Sequence, residues 1–174
     1  MKPLSLLLLL LWPLHSFGQN AFDWTGREHD DEDVFKEQQV ALPALPSASD
    51  LIEFEPEFKT SLKYFVDGRT VAVGEDGVVR YTMVVKGEGN ATNVSYEGIR
   101  CAEGEFKTYA FGGADGAWMP VRKPQWKPVR PDAARRSLSR DIFCPQNAVI
   151  GSSREAVRAL RAGYHPESQR AYTR

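Results

Sequence analysis

The chain predicts an α+β fold: an antiparallel β-meander of about five strands with one or two C-terminal helices packed on it and one disulfide. Three observations carry that expectation. Between residues 64 and 119, apolar and polar side chains alternate between glycine turns. Residues 132–163 carry helix-capping and helix-period signals. The only two cysteines, Cys101 and Cys144, fall one in each of those regions.

In chain order, Lys2 precedes an apolar stretch from Leu4 to Leu14, and the small residues Ser16 and Gly18 follow. Charged, apolar and small-residue regions in that order predict a cleavable signal peptide over residues 1–18, cut between Gly18 and Gln19. An apolar run of about 11 residues is short of the roughly 20 that a membrane-spanning helix needs, so no transmembrane segment is expected. No cysteine lies near the cut to take a lipid. The expectation is a free, exported protein of an oxidising compartment.

Residues 19–49 read as an arm. They open with the acidic cluster at 28–33 and continue into Leu42-Pro43-Ala44-Leu45-Pro46-Ser47, which has few features of a packed element and is expected to be extended or partly disordered. The folded domain is expected over residues 50–163. Residues 50–58 alternate apolar with acidic side chains, as an edge strand or an extended cover would. Val71 and Val73 lead into Gly74-Glu75-Asp76-Gly77, where Asp-Gly favours a hairpin turn. Val79, Tyr81, Met83 and Val85 then share one face of a strand, with Arg80, Thr82 and Lys86 on the other. In residues 93–102 the apolar set runs Val94, Tyr96 and then jumps phase to Ile99 and Cys101, which predicts a bulge at Gly98. Residues 106–111 add a strand, and 117–119 a short one.

Pro120, Pro124, Pro128 and Pro131 exclude regular helix or central strand from the next stretch. Residues 132–143 look helical. A second helix is marked by Ser152 and Glu155 at capping-box spacing, by the stripe Ala156, Val157, Leu160 and Ala162, and by Gly163 as its end. Residues 164–174 read as a flexible tail.

An even cysteine count in an exported chain predicts a Cys101–Cys144 bridge. The alternatives, a metal pair or a redox thiol, lack ligand spacing and a Cys-x-x-Cys motif. Charge is unevenly spread. Residues 19–57 carry 2 basic and 11 acidic side chains, whereas residues 118–174 carry 12 basic and 4 acidic ones. The acidic arm could therefore lie across the basic C-terminal third.

Few residues point to chemistry. His15 lies in the signal peptide, His29 in the arm and His165 in the tail; there is no nucleophile elbow and no phosphate loop, and Glu97 has no identifiable partner carboxylate. The cluster at 28–33 lacks the glycine and terminal glutamate of a helix-loop-helix calcium site, so it reads as a solvated charge run. No catalytic residue, metal or cofactor is expected. The segment from Trp118 to Arg130 interleaves cations with two indoles and prolines, a mixture that recognises polyanions or carbohydrate, although the same indoles could simply cover the sheet. The candidate binding surface is Arg100, Trp118, Arg122 and Trp126.

Phe65-Val66-Asp67, Asp76-Gly77-Val78-Val79-Arg80-Tyr81, the block Asn93-Val94-Ser95-Tyr96-Glu97-Gly98-Ile99-Arg100-Cys101, Tyr109-Ala110-Phe111-Gly112, Trp126 and Phe143-Cys144 together resemble the CNP-one-like family of small exported proteins of Gram-negative bacteria. The similarity spans roughly residues 35–162. It implies a bacterial periplasm, which sets aside the glycosylation triplets at Asn90 and Asn93, and it carries over no activity, ligand, cofactor or site residue. The functional expectation is a non-enzymatic binding or envelope-associated module whose partner is an envelope protein, a glycan or an anionic surface, with no nucleic acid. The alternative is a small periplasmic enzyme without a recognisable motif.

Overall fold

The computed structural model describes residues 35–168, apart from Val40 and Pro131. The expected signal peptide, the cluster at 28–33 and residues 169–174 lie outside the described residues.

The fold is an antiparallel sheet with helices on one face, as expected, but it has seven strands where the sequence suggests about five. They are β1 (Leu51–Phe54), β2 (Lys63–Val73), β3 (Val78–Lys86), β4 (Thr92–Arg100), β5 (Glu105–Gly112), β6 (Trp118–Pro120) and β7 (Lys127–Pro128). Strands β1 to β6 pair in chain order, and β7 joins the outer edge of β5 beside β6. Two residues, one a proline, show no period, so β7 leaves no trace in the sequence pattern. The β2–β3 hairpin turns through Gly74–Gly77, with the Gly77 N–H donating to the Gly74 carbonyl (3.0 Å) and Gly77 at φ 71°, where a side chain would be strained.

The helix face holds the main core. Val79, Tyr81 and Met83 of β3 and Ile99 of β4 meet Ala134, Leu138, Ile142 and Phe143 from one helical segment and Ala156, Ala159 and Leu160 from the other. Each such large side chain removed from water stabilises the fold by about 1.5–3 kcal/mol. The first segment starts as α1 (Ala133–Ser137), capped by the Asp132 carboxylate on the Arg135 N–H (2.9 Å), and widens into a π-type turn over Leu138–Phe143. That turn delivers Cys144 to Cys101, and the two form the expected disulfide across a Cα–Cα distance of 5.4 Å. Helix α2 (Ser153–Ala162) takes Ser152 as N-cap, its hydroxyl accepting from the Glu155 N–H (3.2 Å), and ends at Gly163 with φ 79°. The chain continues past Gly163. Through residue 168 it packs back: the His165 N–H donates to the Asp141 carbonyl (2.6 Å), its ring meets Glu155 (2.9 Å), and Ser168 is fully buried.

One further expectation is corrected. No bulge occurs at Gly98, because β4 pairs β3 in unbroken register from Thr92 to Arg100. Both faces of β4 are covered, so Val94 and Tyr96 pack on one side, Ser95, Glu97 and Ile99 on the other, and the phase jump needs no slip. The irregularity sits across the ladder on β5, where Tyr109 is the extra residue between the pairs Tyr96–Ala110 and Glu97–Thr108. Gly98 makes room for it, since a Cβ there would lie 2.6 Å from the Tyr109 hydroxyl. The arm is described from Phe35 on, its acidic cluster lying outside the described residues. Residues 35–39 and 41–47 are extended and lie on the sheet face opposite the helices; the cations they meet, Arg80, Arg100 and Lys107, belong to the sheet, and Trp118 and Trp126 of the C-terminal third contact them as well.

Candidate functional site

The site is built where residues 35–43 cross strands β3 to β6. It begins with a cation that strand alternation turns away from the helices. Arg80 is 1% exposed, and its guanidinium clamps the Asp76 carboxylate of the neighbouring turn through two bonds (3.0 and 2.6 Å) while also donating to the Gln38 carbonyl (3.0 Å). The Gln38 N–H returns to the same Asp76 (2.8 Å). Burial alone would pull the arginine down, but the bonds and charge of Asp76 outweigh it and keep Arg80 above its usual range, fully charged. This triangle pins the extended segment to the sheet.

Next to it, Glu37 accepts from both Lys107 and Tyr109 of β5, the phenol at 2.8 Å. Lys107 and Tyr109, two apart on β5, project from the same face of the strand and so reach the same carboxylate. Burial, and then the bond to Glu37, pushes the Tyr109 hydroxyl far above its ordinary range, so it remains a donor at any physiological pH. Tyr96 stacks tilted on Tyr109 (centroids 5.6 Å). Between these groups a cavity of about 430 Å³ opens, walled by Gln38, Gln39, Leu42, Tyr96, Lys107 and Tyr109. That volume lies in the range of small-ligand clefts.

The sequence-predicted residues part company here. Arg100 and Trp126 come together: the guanidinium stands 5.1 Å from the Trp126 ring and 4.4 Å from that of Phe35, and the two rings meet edge to face at 6.0 Å. Lys107 lies 4.7 Å from the Trp126 ring, so the indole touches both the cation of the cavity wall and Arg100. Arg100 is also neutralised by Glu103 (2.9 Å) and Glu105 (2.7 Å). Trp118 is placed differently. Its indole N–H donates to the Pro43 carbonyl (2.6 Å), and its ring leans on Tyr96 (6.2 Å), so it tethers the extended segment. Arg122 is exposed and lines neither this cavity nor the indole pair. Both indoles are half-buried, neither sealed in the core nor free.

Glu37, Gln38, Tyr96, Lys107 and Tyr109 were missed by sequence reasoning. The one available signal was the Lys107–Tyr109 alternation on β5; nothing in residues 35–39 marks them as its partner.

Glu97, the strand carboxylate with the best claim to chemistry, is engaged on the other face. It is wholly buried and accepts from Arg135 (2.8 and 2.6 Å), Ser95 (2.6 Å) and Tyr81 (3.1 Å). Burial, then the charge of Glu97, pushes the Tyr81 hydroxyl well up, so it stays a donor. A carboxylate whose lone pairs are all used by fixed donors has none for a substrate. Among the described residues no group of three or more His, Cys, Asp or Glu side chains could hold a metal ion, and no helix is long and apolar enough to cross a membrane.

Comparison with known proteins bears on the family. No solved structure matches the chain. Cryptic neisserial protein 1 of Neisseria gonorrhoeae is 28% identical over 160 residues, covering 79% of this chain and 78% of that protein. The model of the CNP1-like family matches residues 30–161, a span that takes in every strand, both helices apart from the last residue of α2, the disulfide and the cavity wall. This chain belongs to the CNP1-like family.

Proposed function

We propose that this protein is an exported, non-enzymatic binding module of the bacterial envelope, and that it holds a glycan in the cavity between residues 37–42 and strands β4 and β5. One observation carries the reading: the cavity joins an aromatic face to hydrogen-bonding side chains, while its charges are already paired. The half-buried Tyr109 ring, backed by the buried Tyr96, offers a flat apolar surface on which the C–H face of a sugar ring stacks; Gln38 and Gln39 can meet its hydroxyls, and the Tyr109 oxygen, whose proton goes to Glu37, can accept from one. Lys107 is neutralised by Glu37, and Arg100 by Glu103 and Glu105. A polyanion would find little uncompensated charge at this face, so carbohydrate fits better than an anionic surface. Glu97, fully committed to Arg135, Ser95 and Tyr81, argues against the small-enzyme alternative.

Export rests on the leader-like residues 1–18, and a structural disulfide suits an oxidising compartment. Cell fractionation tests it. The protein should be recovered with the periplasmic contents, shortened by removal of residues 1–18; full-length protein confined to the cytoplasm would refute it.

The glycan reading is tested by titrating the purified protein with soluble peptidoglycan fragments and neutral oligosaccharides while following tryptophan emission. Saturable binding that changes little from low to high salt is expected, because no net charge drives it. Tyr109→Phe, which removes the phenol oxygen as an acceptor from the cavity and its bond to Glu37, should weaken binding about fivefold to tenfold. Failure to bind any of these sugars, or binding that disappears at high salt, would remove the proposal.

A further inference from the structure

A second cavity, of about 480 Å³, opens beside the turn from β4 to β5, between β7 and the π-type turn. Its wall carries three arginines, Arg130, Arg136 and Arg140, together with Asn147, and two carboxylates, Glu57 and Glu103. The charges are not evenly matched. Glu103 is drawn away to Arg100 at 2.9 Å. Arg140 is braced by Asp141, a buried carboxylate, through Nε (2.8 Å) and one terminal nitrogen (3.1 Å), which orients its guanidinium. Among the described residues its other terminal nitrogen meets Glu57 alone, at a loose 3.5 Å, because Glu57 is held closer by Arg136 at 2.7 Å. The Nε of Arg136 is buried without a hydrogen-bond partner, and Arg130 is exposed and forms no ion pair among the described residues. One carboxylate thus serves two guanidiniums, and a third has none.

Glu57 belongs to the connection between β1 and β2, residues 55–62, nearly all of it exposed. Phe58, 60% exposed, reaches across to the Arg136 guanidinium at 5.3 Å. The segment therefore rests on the arginines through the two ion pairs of one carboxylate and one ring contact, with little of it buried. A half-exposed ion pair of this kind is screened by solvent and is readily exchanged.

We propose that this cavity is a binding site for a phosphate group, and that Glu57 is the internal carboxylate that the phosphate displaces. Guanidinium forks match phosphate oxygens in pairs, and a phosphate brings more acceptor oxygens than the carboxylate it replaces. Glu57 satisfies Arg136 and only loosely Arg140; a phosphate seated there would reach both, with the Asn147 amide and Arg130 as further donors. The site shares no residue with the glycan cavity and stands whether or not that proposal does.

A soluble phosphorylated compound and a phosphorylated lipid headgroup present the same chemistry, so the experiment has two arms. The full protein is titrated with inorganic pyrophosphate at constant ionic strength, following backbone amide signals by NMR, and is separately sedimented with phosphatidylglycerol vesicles. Pyrophosphate should shift the amides of Arg136, Arg140 and Asn147. Glu57→Gln should tighten binding about threefold or more, and Arg130→Gln should weaken it by a similar factor; both positions are exposed, so neither variant endangers the fold. Sedimentation that pyrophosphate competes away assigns a lipid headgroup, and pyrophosphate binding without sedimentation assigns a soluble ligand. The proposal is overturned if the amides do not shift, if sodium chloride of equal ionic strength produces the same shifts, or if Glu57→Gln leaves the affinity unchanged.

Discussion

The two faces of the sheet use the same device to different ends. Each buries a carboxylate between a strand and its cover and satisfies it with a cation and a tyrosine: Glu97 with Arg135 and Tyr81 on the helix side, Glu37 with Lys107 and Tyr109 on the other. On the helix side the carboxylate belongs to the sheet and the cation to the cover; on the other side the roles are exchanged. The seal differs as well. Helical residues Leu138, Ile142 and Phe143 pack on the face that carries Glu97, which is fully buried, whereas the extended cover over Lys107 leaves Glu37 24% exposed and a cavity beside it. An extended segment has one row of side chains to lay on a sheet and cannot fill the width that a helix fills. The sealed face therefore supplies stability, and the open one supplies a place for a ligand.

If that division holds, the largest losses should come from the helix face. Removing the disulfide with Cys101→Ser and Cys144→Ser frees a loop with a sequence separation of 43 and should cost about 4 kcal/mol in the chain-entropy account, read as a lower denaturant midpoint. Glu97→Gln should follow at about 3 kcal/mol, the low end for a broken buried pair, because Arg135 keeps 17% exposure and Asp132 (2.6 Å) as a second partner. Pairing Glu97→Gln with Arg135→Met should recover part of the loss, since the stranded charge goes with it. If Glu97→Gln costs no more than a surface change, the helix face is not the sealed one.

Much of this face is legible in the sequence. The alternation of Val79, Tyr81 and Met83 fixes the buried side of β3, Ser152 with Glu155 and Gly163 marks both ends of α2, and two cysteines permit one pairing. Residues 35–47 are another matter. They have no helical or strand period, and what holds them is distant in the chain: Gln38 to Asp76, Glu37 to Tyr109, Pro43 to Trp118. Local pattern cannot announce such contacts, so a docked cover reads as a loose arm. The same blindness explains the phase jump in β4, which looks like a bulge only when one face is thought to be solvated. For the candidate site, Arg100 and Trp126 were legible as a cation beside an indole. Their partner Phe35 was not, Trp118 proved to be a tether, and Arg122 stands apart.

The open face should yield smaller effects. Glu37→Gln breaks a partly solvated pair with Lys107 and is expected to cost about 1 kcal/mol in the same denaturant assay, with the difference from the parent shrinking at high salt. A loss as large as that of Glu97→Gln would erase the distinction between the faces.

The smallest effect is the most specific. Burial by itself would raise the Asp76 carboxyl, but the bonds from Arg80 and from the Gln38 and Val78 amides together hold it below its ordinary 3.8. A folded-state value below the unfolded one means that the stabilisation is fully present above about pH 3.8 and is lost as pH falls through the lower, folded value. Because Asp76 bonds both Arg80 and Gln38, protonating it should loosen residues 35–39 in particular. Glu155 on the helix side is also held low, by His165 first, so acid weakens both faces. Residues 35–39, however, are anchored mainly by these polar bonds, whereas α2 is anchored by Ala156, Ala159 and Leu160. On acid titration the emission of Trp126, which touches Phe35, should therefore change at a higher pH than the far-ultraviolet signal of the sheet, and Asp76→Asn should abolish that early step. Coincident transitions in the parent protein would mean that the extended cover is as firmly held as the helices.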